Sequence, residues 1–389
     1  MRPAAAGDRL WIERLALTRY RNYAHLALEL DPRPVVLTGA NGAGKTNLME
    51  AVTLLAPGRG MRRAVYADLV QHGGQDAEAG APGQGWAVAA RVHGLEGLVD
   101  IGTGFSGESE AAGRSVRIDG SPARGTGALG AHMRVLWLIP AMDGLFTGPA
   151  SERRSFLDRL VQSLAPAHRD TLSRFERAMR QRNRLLEAGG ASASEFDGLE
   201  MQMAESGVAI AAARREIVAR LGSGQKGGSA ADPFPWATLA LEGRLEALLE
   251  REAAVDAEDA YRELLARGRA RDAAARRTLE GPHRSDLIVG HGPKRMAARV
   301  CSTGEQKALL TGLVLAHARL VREQSGGCAP VLLLDEVAAH LDAVRRQALF
   351  EAVVALGAQA WMSGTDPELF RPLEGQARFL TVKNGGVCG

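Results

Sequence analysis

Lysine is scarce in this chain of 389 residues. Only Lys45, Lys226, Lys294, Lys307 and Lys383 occur, against 48 lysines and arginines together. Arginine therefore carries nearly all the positive charge, and a lysine inside a motif is seldom there by accident. Aromatic residues are few, at 5%, and none interleave with the basic clusters. That argues against a stacking platform for single-stranded nucleic acid. The three cysteines, Cys301, Cys328 and Cys388, are far apart and form no CxxC pair. That spacing argues against a zinc site or a disulfide framework, and a reduced, cytoplasmic compartment is expected. No apolar run approaches the ~18–20 residues needed to cross a bilayer, and MRPAAAGDRLWIERLAL lacks the apolar core of a secretion signal. A soluble protein with no membrane partner is expected. Neither a fixed-period repeat nor sustained heptads occur.

The remaining composition, 46% hydrophobic and 24% charged, is that of a globular chain long enough for two or three domains. A net charge of +3 neither demands nor excludes nucleic acid, so local clustering must decide. WIERLALTRY and NYAHLALEL alternate in polarity and predict paired strands. PVVLTGA predicts a buried strand, and KTNLMEAVTLL a helix with Leu48, Val52 and Leu55 on one side. Residues 73–130 are glycine-rich, with strand-like WAVAARV and SVRIDG, and read as antiparallel sheet. MRVLWLIP (133–140) is a further buried strand, stopped by Pro140. From Ser151 to about residue 275 the pattern is helical, interrupted by a flexible loop at 222–233. After Gly281 it returns to sheet and loops. The expected architecture is α/β: a head with a mixed sheet, assembled from residues 1–150 and 276–389, with a helical arm inserted at 151–275.

GANGAGKT, Gly39 to Thr46, matches G-x-x-x-x-G-K-[ST] at every fixed position. Gly39, Ala40, Asn41, Gly42, Ala43 and Gly44 form a loop whose backbone N–H groups can surround phosphates, and the helix that follows adds its positive end. Lys45 is placed to reach the β- and γ-phosphates, and the Thr46 hydroxyl to bind Mg²⁺. Asn47 follows the motif and is counted with the loop. Far downstream, VLLLDE places Asp335 and Glu336 at the end of a buried strand, where open α/β sheets bind ligands. Asp335 would hold the Mg²⁺ and Glu336 would act as general base on water. In CSTGEQ, Ser302 and Glu305 have the spacing of a capping box, and a capped helix start is also an anion site.

A phosphate loop, a Ser-x-Gly-x-Gln segment, four apolar residues with Asp-Glu, and then His340-Leu341-Asp342, in this order, resemble the ATP-binding-cassette ATPases. The chain is most similar to their chromosome-maintenance and recombination branch, and within it to the RecF family of bacterial DNA replication and repair proteins. Tyr20-Arg21-Asn22-Tyr23, Gly58-Arg59-Gly60 with Arg62, RRSFLD (153–158), QRNRLL (181–186) and TLEGPHRSDL (278–287) carry that resemblance from end to end. It implies a P-loop ATPase head that binds ATP and Mg²⁺. It implies that Ser302, Gly304 and Gln306 close over the nucleotide of a second subunit, with Asp342 at the seam of an ATP-dependent homodimer. It further implies slow hydrolysis stimulated by DNA, action at gapped DNA with the mediators RecR and RecO, and help in recombinase loading. About 255 residues separate Lys45 from Ser302, far from the short gap of a transporter cassette, one alternative reading; intact Lys45, Asp335 and Glu336 argue against the other, a non-enzymatic scaffold with a degenerate site. They allow only a short arm. The arm's basic residues Arg153, Arg154, Arg182 and Arg184 are the expected contacts to duplex DNA or a duplex–single-strand junction. Where many cassette ATPases have a switch histidine, AWMSGTD offers Ser363 and Thr365. The place of the usual glutamine corresponds to Ala141.

Overall fold

Short apolar runs make the middle of a parallel sheet in this protein. In the computed structural model, which describes residues 9–71, 85–107, 113–189, 192–224, 232–383 and 385–389, strands β3 (Val35–Thr38), β12 (Val331–Leu334) and β13 (Ala360–Gly364) are buried at every position. Strands covered on both faces have this uniformly apolar character. The chain divides into two compact units, Met1–Asp143 with Leu310–Gly389, and Gly144–Leu309.

The first unit holds two six-stranded sheets. One has the order β15 (Gly386–Cys388), β14 (Arg378–Lys383), β3, β13, β12, β8 (Val135–Leu138). Its neighbours are parallel except for the β14–β15 hairpin. Strand β13 therefore lies between β3 and β12, with Gly364 paired to Thr38 and Met362 to Leu334. The carboxyl ends of the three strands meet at one edge, the usual ligand position in such sheets. Helix α1 (Lys45–Thr53) leaves that edge after β3. The other sheet is antiparallel, with the order β2 (Tyr23–Glu29), β1 (Trp11–Tyr20), β4 (Trp86–Gly94), β5 (Gly97–Phe105), β6 (Ser115–Ile118), β7 (Ser121–Pro122). From Trp86 to Val92 inward and outward residues alternate strictly, which pins register. The same alternation slips in β1 at a bulge between Ile12 and Arg14. Gln359, fully buried just ahead of β13, accepts the Ile12 N–H and donates to the carbonyls of Ile12 and Asp31. One side chain thus ties the two sheets together.

The second unit is built from helices α2 (Ala150–Leu164), α3 (His168–Ala188), α4 (Ala193–Gly224), α5 (Arg244–Leu248) and α6 (Ala254–Ala274), with a three-stranded sheet. Phe175, Met203, Val208, Leu245, Tyr261 and Leu265 belong to its core. The sheet runs β11 (Met296–Ala297), β10 (Asp286–His291), β9 (Ala237–Glu242). Strand β9 falls inside the stretch expected to be helical. It pairs along its whole length with β10, Ala237 opposite His291 through Glu242 opposite Asp286. This non-local pairing carries the compact unit to Leu309, past the expected end at 275. Helix α7 (Thr303–Gln324) contains the boundary between the units, and helix α8 (Ala343–Leu356) belongs to the first. Part of the expected flexible loop at 222–233 and part of the glycine-rich stretch 73–130 lie outside the described residues. No helix among the described residues is long and apolar enough to cross a membrane.

Candidate nucleotide site and signature segment

The phosphate loop begins where β3 ends, and its glycines are required by close approach. Gly39 has φ 145°, and a Cβ there would lie 2.3 Å from the Val382 carbonyl oxygen. Gly44 has φ 117°, and a Cβ there would lie 2.4 Å from Asn22 Nδ2. No side chain caps α1, which begins at Lys45. Lys45 is 4% exposed, and its ammonium donates to the carbonyls of Gly39 and Ala40 at 2.7 and 2.9 Å. Burial pushes its pKa down, while the carboxylates of Glu336 and Asp335 oppose the shift. Ala40, Asn41 and Gly42 are exposed along the loop.

The loop is braced from behind by the turn joining β1 to β2. Asn22 Nδ2 donates to the Ala43 carbonyl at 3.0 Å, and the Tyr23 hydroxyl donates to the Gly44 carbonyl at 3.0 Å. Asn47 Nδ2 donates to Asn22 Oδ1 at 2.8 Å, and Arg62 donates to Asn47 Oδ1 at 2.8 Å. Arg21 pairs with buried Glu50 on α1. In the sequence, Tyr20–Tyr23 served only as a mark of resemblance. The bracing depends on a turn that becomes visible only once β1 and β2 are paired.

Asp335 directly follows β12 and is 4% exposed. The Thr46 hydroxyl donates to its carboxylate, 3.0 Å from Oδ2, and the Ser363 hydroxyl donates to Oδ1 at 2.6 Å. Ser363 Oγ in turn accepts the Glu336 backbone N–H at 2.9 Å. A hydroxyl beside a carboxylate is a hard-oxygen donor set that fits Mg²⁺. Glu336 has φ 54°, a left-handed conformation that costs a residue with a side chain ~1 kcal/mol or more. Such strain persists where the surroundings impose it, and the Ser363 bridge does so here. Asp342 is the N-cap of α8, accepting the Arg345 N–H at 2.8 Å.

The signature segment belongs to the second unit. Ser302 and Glu305 form a reciprocal capping box: the Ser302 N–H donates to Glu305 Oε2 at 3.0 Å, and the Glu305 N–H to Ser302 Oγ at 3.4 Å. The Lys294 ammonium and the Ser302 N–H lower the Glu305 pKa to about 2, so Glu305 is charged at neutral pH. Ser302 and Gly304 are exposed, and a Cβ at Gly304 would have no neighbour within 4 Å. Gln306 departs from expectation. It is buried and its Nε2 donates to the Cys301 carbonyl at 2.8 Å, so it braces the turn and is not presented to a ligand.

Three of the four arginines expected on DNA are structural. Arg182 is fully buried. It donates to Glu200 (2.9 Å), Asp272 (2.7 Å), the Thr278 hydroxyl (2.9 Å) and the Leu265 carbonyl (2.8 Å). Arg153 forks onto Asp286 at 2.8 and 2.7 Å, and Arg154 donates to the Ser285 carbonyl at 2.7 Å. Only Arg184 is exposed. The 278–286 loop is sewn down by the same helices. Asn183 accepts from Thr278, Tyr261 donates to the Glu280 carbonyl, and Arg214 donates to the Pro282 carbonyl. His283 donates to the Thr278 carbonyl and is held below its ordinary pKa by burial.

A strand inserted between the phosphate-loop strand and the acid-pair strand, with a signature segment opening the helix α7, gives the chain the fold of an ATPase head of the ATP-binding-cassette class, as in its SMC-like branch. Among solved structures, an Smc head domain from Pyrococcus furiosus is similar at TM-score 0.53 with 15% identity, covering 97% of this chain and 95% of that one. Two structures described as the recombination mediator protein RecF in the RecFOR pathway, with ATPrS and with ATP, are similar at TM-scores 0.82 and 0.79. Both are 21% identical and cover 98% of this chain, and 98% and 99% of theirs. No family model matches the chain. Curated relatives named DNA replication and repair protein RecF are far more similar in sequence. The protein of Rhizobium rhizogenes is 55% identical over 379 residues, 97% of this chain and 98% of its own length. That of Agrobacterium fabrum is 53% identical over 380 residues, 98% of this chain and 99% of its own. The chain belongs to the RecF family of DNA replication and repair proteins.

Proposed function

We propose that this protein is a slow, DNA-stimulated ATPase in which ATP with Mg²⁺ closes a head-to-head homodimer on DNA, and hydrolysis reopens it. The observation that carries this reading is the Thr46–Asp335–Ser363–Glu336 chain of hydrogen bonds at the mouth of the phosphate loop. Residues 39–47 surround the phosphates with N–H groups, and Lys45 exchanges its two carbonyl partners for phosphate oxygens. Thr46 and Asp335 would hold Mg²⁺, which neutralises charge on the β- and γ-phosphates when bound. Glu336 accepts a proton from the attacking water. The second copy supplies Ser302 Oγ and the N–H groups at Gly304, the open start of a 22-residue helix. Val300, 61% exposed just before the signature, and Val344, 70% exposed beside Asp342, give that seam apolar surface. ATP binds the closed pair better than the single head, so it shifts the population toward closure.

Membership of the family supports work at gapped DNA with the mediators RecR and RecO, leading to recombinase loading. The domain division of head (1–150, 276–389) and arm (151–275) remains a working scheme for that role, with the compact arm unit extending to Leu309. The test is sedimentation and turnover with Glu336→Gln. Hydrolysis is lost and an ATP-dependent dimer accumulates. Mixing Lys45→Ala with Ser302→Arg restores turnover at one of the two shared sites. A mixture of these folded variants with no recovered activity refutes the shared site.

A further inference from the structure

Seven non-glycine residues hold a left-handed backbone among the described residues, and five are arginines: Arg19, Arg21, Arg63, Arg276 and Arg295. Arginine makes up only about one residue in nine of the chain. A left-handed backbone disfavours every L side chain and costs glycine nothing. Arginine kept at such positions points to a use for the guanidinium.

Arg276 is the most clearly defined case. Helix α6 ends at Ala274 with Ala275 as its C-cap. The Arg276 N–H then donates to the Ala273 carbonyl and the Arg277 N–H to the Asp272 carbonyl, both at 3.0 Å. These are the two hydrogen bonds of a Schellman motif, and Arg276, φ 52°, occupies the position where glycine is the favoured residue. The next residue, Thr278, is fastened to α3. Asn183 Oδ1 accepts both its N–H, at 2.9 Å, and its hydroxyl, at 2.7 Å. This pair of hydrogen bonds holds Asn183, which precedes Arg184, against Thr278, which follows Arg276 and Arg277.

All three arginines are exposed, and none makes an ion pair among the described residues. Among the described residues, the only side-chain bond of Arg184 is to the Arg180 carbonyl at 3.4 Å. Several other exposed arginines of these helices are matched by acids, namely Arg180 by Glu176, Arg262 by Asp259, Arg267 by Glu263 and Arg271 by Glu280, while Arg177 on α3 is exposed without such a pair among the described residues. Beneath the trio, the buried Arg182–Asp272–Thr278 group fixes its base.

We propose that Arg184, Arg276 and Arg277 form a contact for the phosphodiester backbone of duplex DNA. Guanidinium forks match phosphate oxygens in geometry and charge. The inference rests on the DNA-binding reading above and places one contact on the arm at residues different from Arg153, Arg154 and Arg182.

The test is fluorescence anisotropy of the full protein on a short mixed-sequence duplex, with ATP, over a salt series. The variants are Arg276→Gly, the triple Arg184→Gln/Arg276→Gly/Arg277→Gln, and the control Arg267→Gln on the same helix. Each phosphate contact contributes about 0.9 to the slope of log K against log salt. The triple variant lowers that slope by about 2–3, and the control leaves it unchanged. Arg276→Gly alone lowers it by about 1 while its Tm stays level or rises, because glycine suits the position. A triple variant with wild-type affinity and slope overturns the proposal. So does an Arg276→Gly protein that melts earlier, since the arginine would then serve the fold. A wild-type protein that binds no duplex at any salt overturns the DNA reading itself.

Discussion

Ser363→Ala removes one oxygen atom from a buried position and breaks two links. Ser363 Oγ lies 2.6 Å from Asp335 Oδ1 and accepts the Glu336 N–H at 2.9 Å, at 1% exposure. A hydrogen bond to a charged group contributes about 1.5–3 kcal/mol, and a buried N–H left without an acceptor costs about 1–3 kcal/mol. Part of this is regained by relaxation of the Glu336 backbone out of its left-handed conformation. The remainder appears as misplacement of Glu336, the proposed general base, and of Asp335, the proposed metal ligand. We expect turnover to fall 10–100-fold, about 1.4–2.7 kcal/mol of barrier, and half-saturating Mg²⁺ to rise. Nucleotide affinity measured without Mg²⁺ should change less than twofold, because no group of the phosphate loop is touched. Ser363→Thr keeps the hydroxyl and should recover most of the activity. Single-turnover hydrolysis, a Mg²⁺ titration and a melting curve on each variant separate these effects. A folded Ser363→Ala protein with wild-type turnover and wild-type Mg²⁺ dependence refutes the bridge.

Asn22→Ala deprives the Ala43 carbonyl and Asn47 of their partner. ATP affinity measured by calorimetry should weaken about tenfold, the equivalent of ~1.4 kcal/mol, with a small change in Tm. The second unit should be acid-sensitive through Asp158. Burial alone would raise its pKa, but hydrogen bonds from His168 and Arg214 hold it below the ordinary carboxylate value. A depressed folded pKa contributes stability that is present above the unfolded value, ~3.9, and lost as pH falls through the folded one. Denaturant midpoints measured from pH 5 downward should drop, and Asp158→Asn should start lower and lose this part of the acid dependence.

The proposed nucleotide site could be read from the sequence because its chemistry is local. Eight consecutive residues make the phosphate loop, and a four-residue buried strand delivers Asp335 and Glu336. What the sequence concealed depends on distant partners. Strand β9 follows a Pro-rich stretch and is stabilised by pairing with β10, more than 40 residues on. Arg182 read as surface charge because it sits in a basic cluster. Yet Arg182 falls at helical spacing with Phe175, Ala178 and Leu186, which are among the buried residues of α3, so the periodicity held the signal that composition overrode. Gln306 looked like part of a ligand-binding segment, and only the turn at Cys301 shows that it faces inward. The glycines at 39 and 44 were readable as a motif, but their reasons, Val382 on β14 and Asn22 in the β1–β2 turn, lie elsewhere in the chain.

The loop at 278–286, stitched to α3, α4 and α6, bears on how this protein can be recombined with its relatives. An exchange of the helical arm with junctions at 151 and 275 leaves the donor without the hydroxyl that Arg182 grips and the carbonyls that Tyr261 and Arg214 grip. Chimaeras cut there leave buried Arg182, Arg214 and Tyr261 dependent on a loop of foreign sequence for these acceptors. Junctions moved to 144 and 309 carry donors and acceptors across together, so a hybrid made at those points is the one to expect in the soluble fraction.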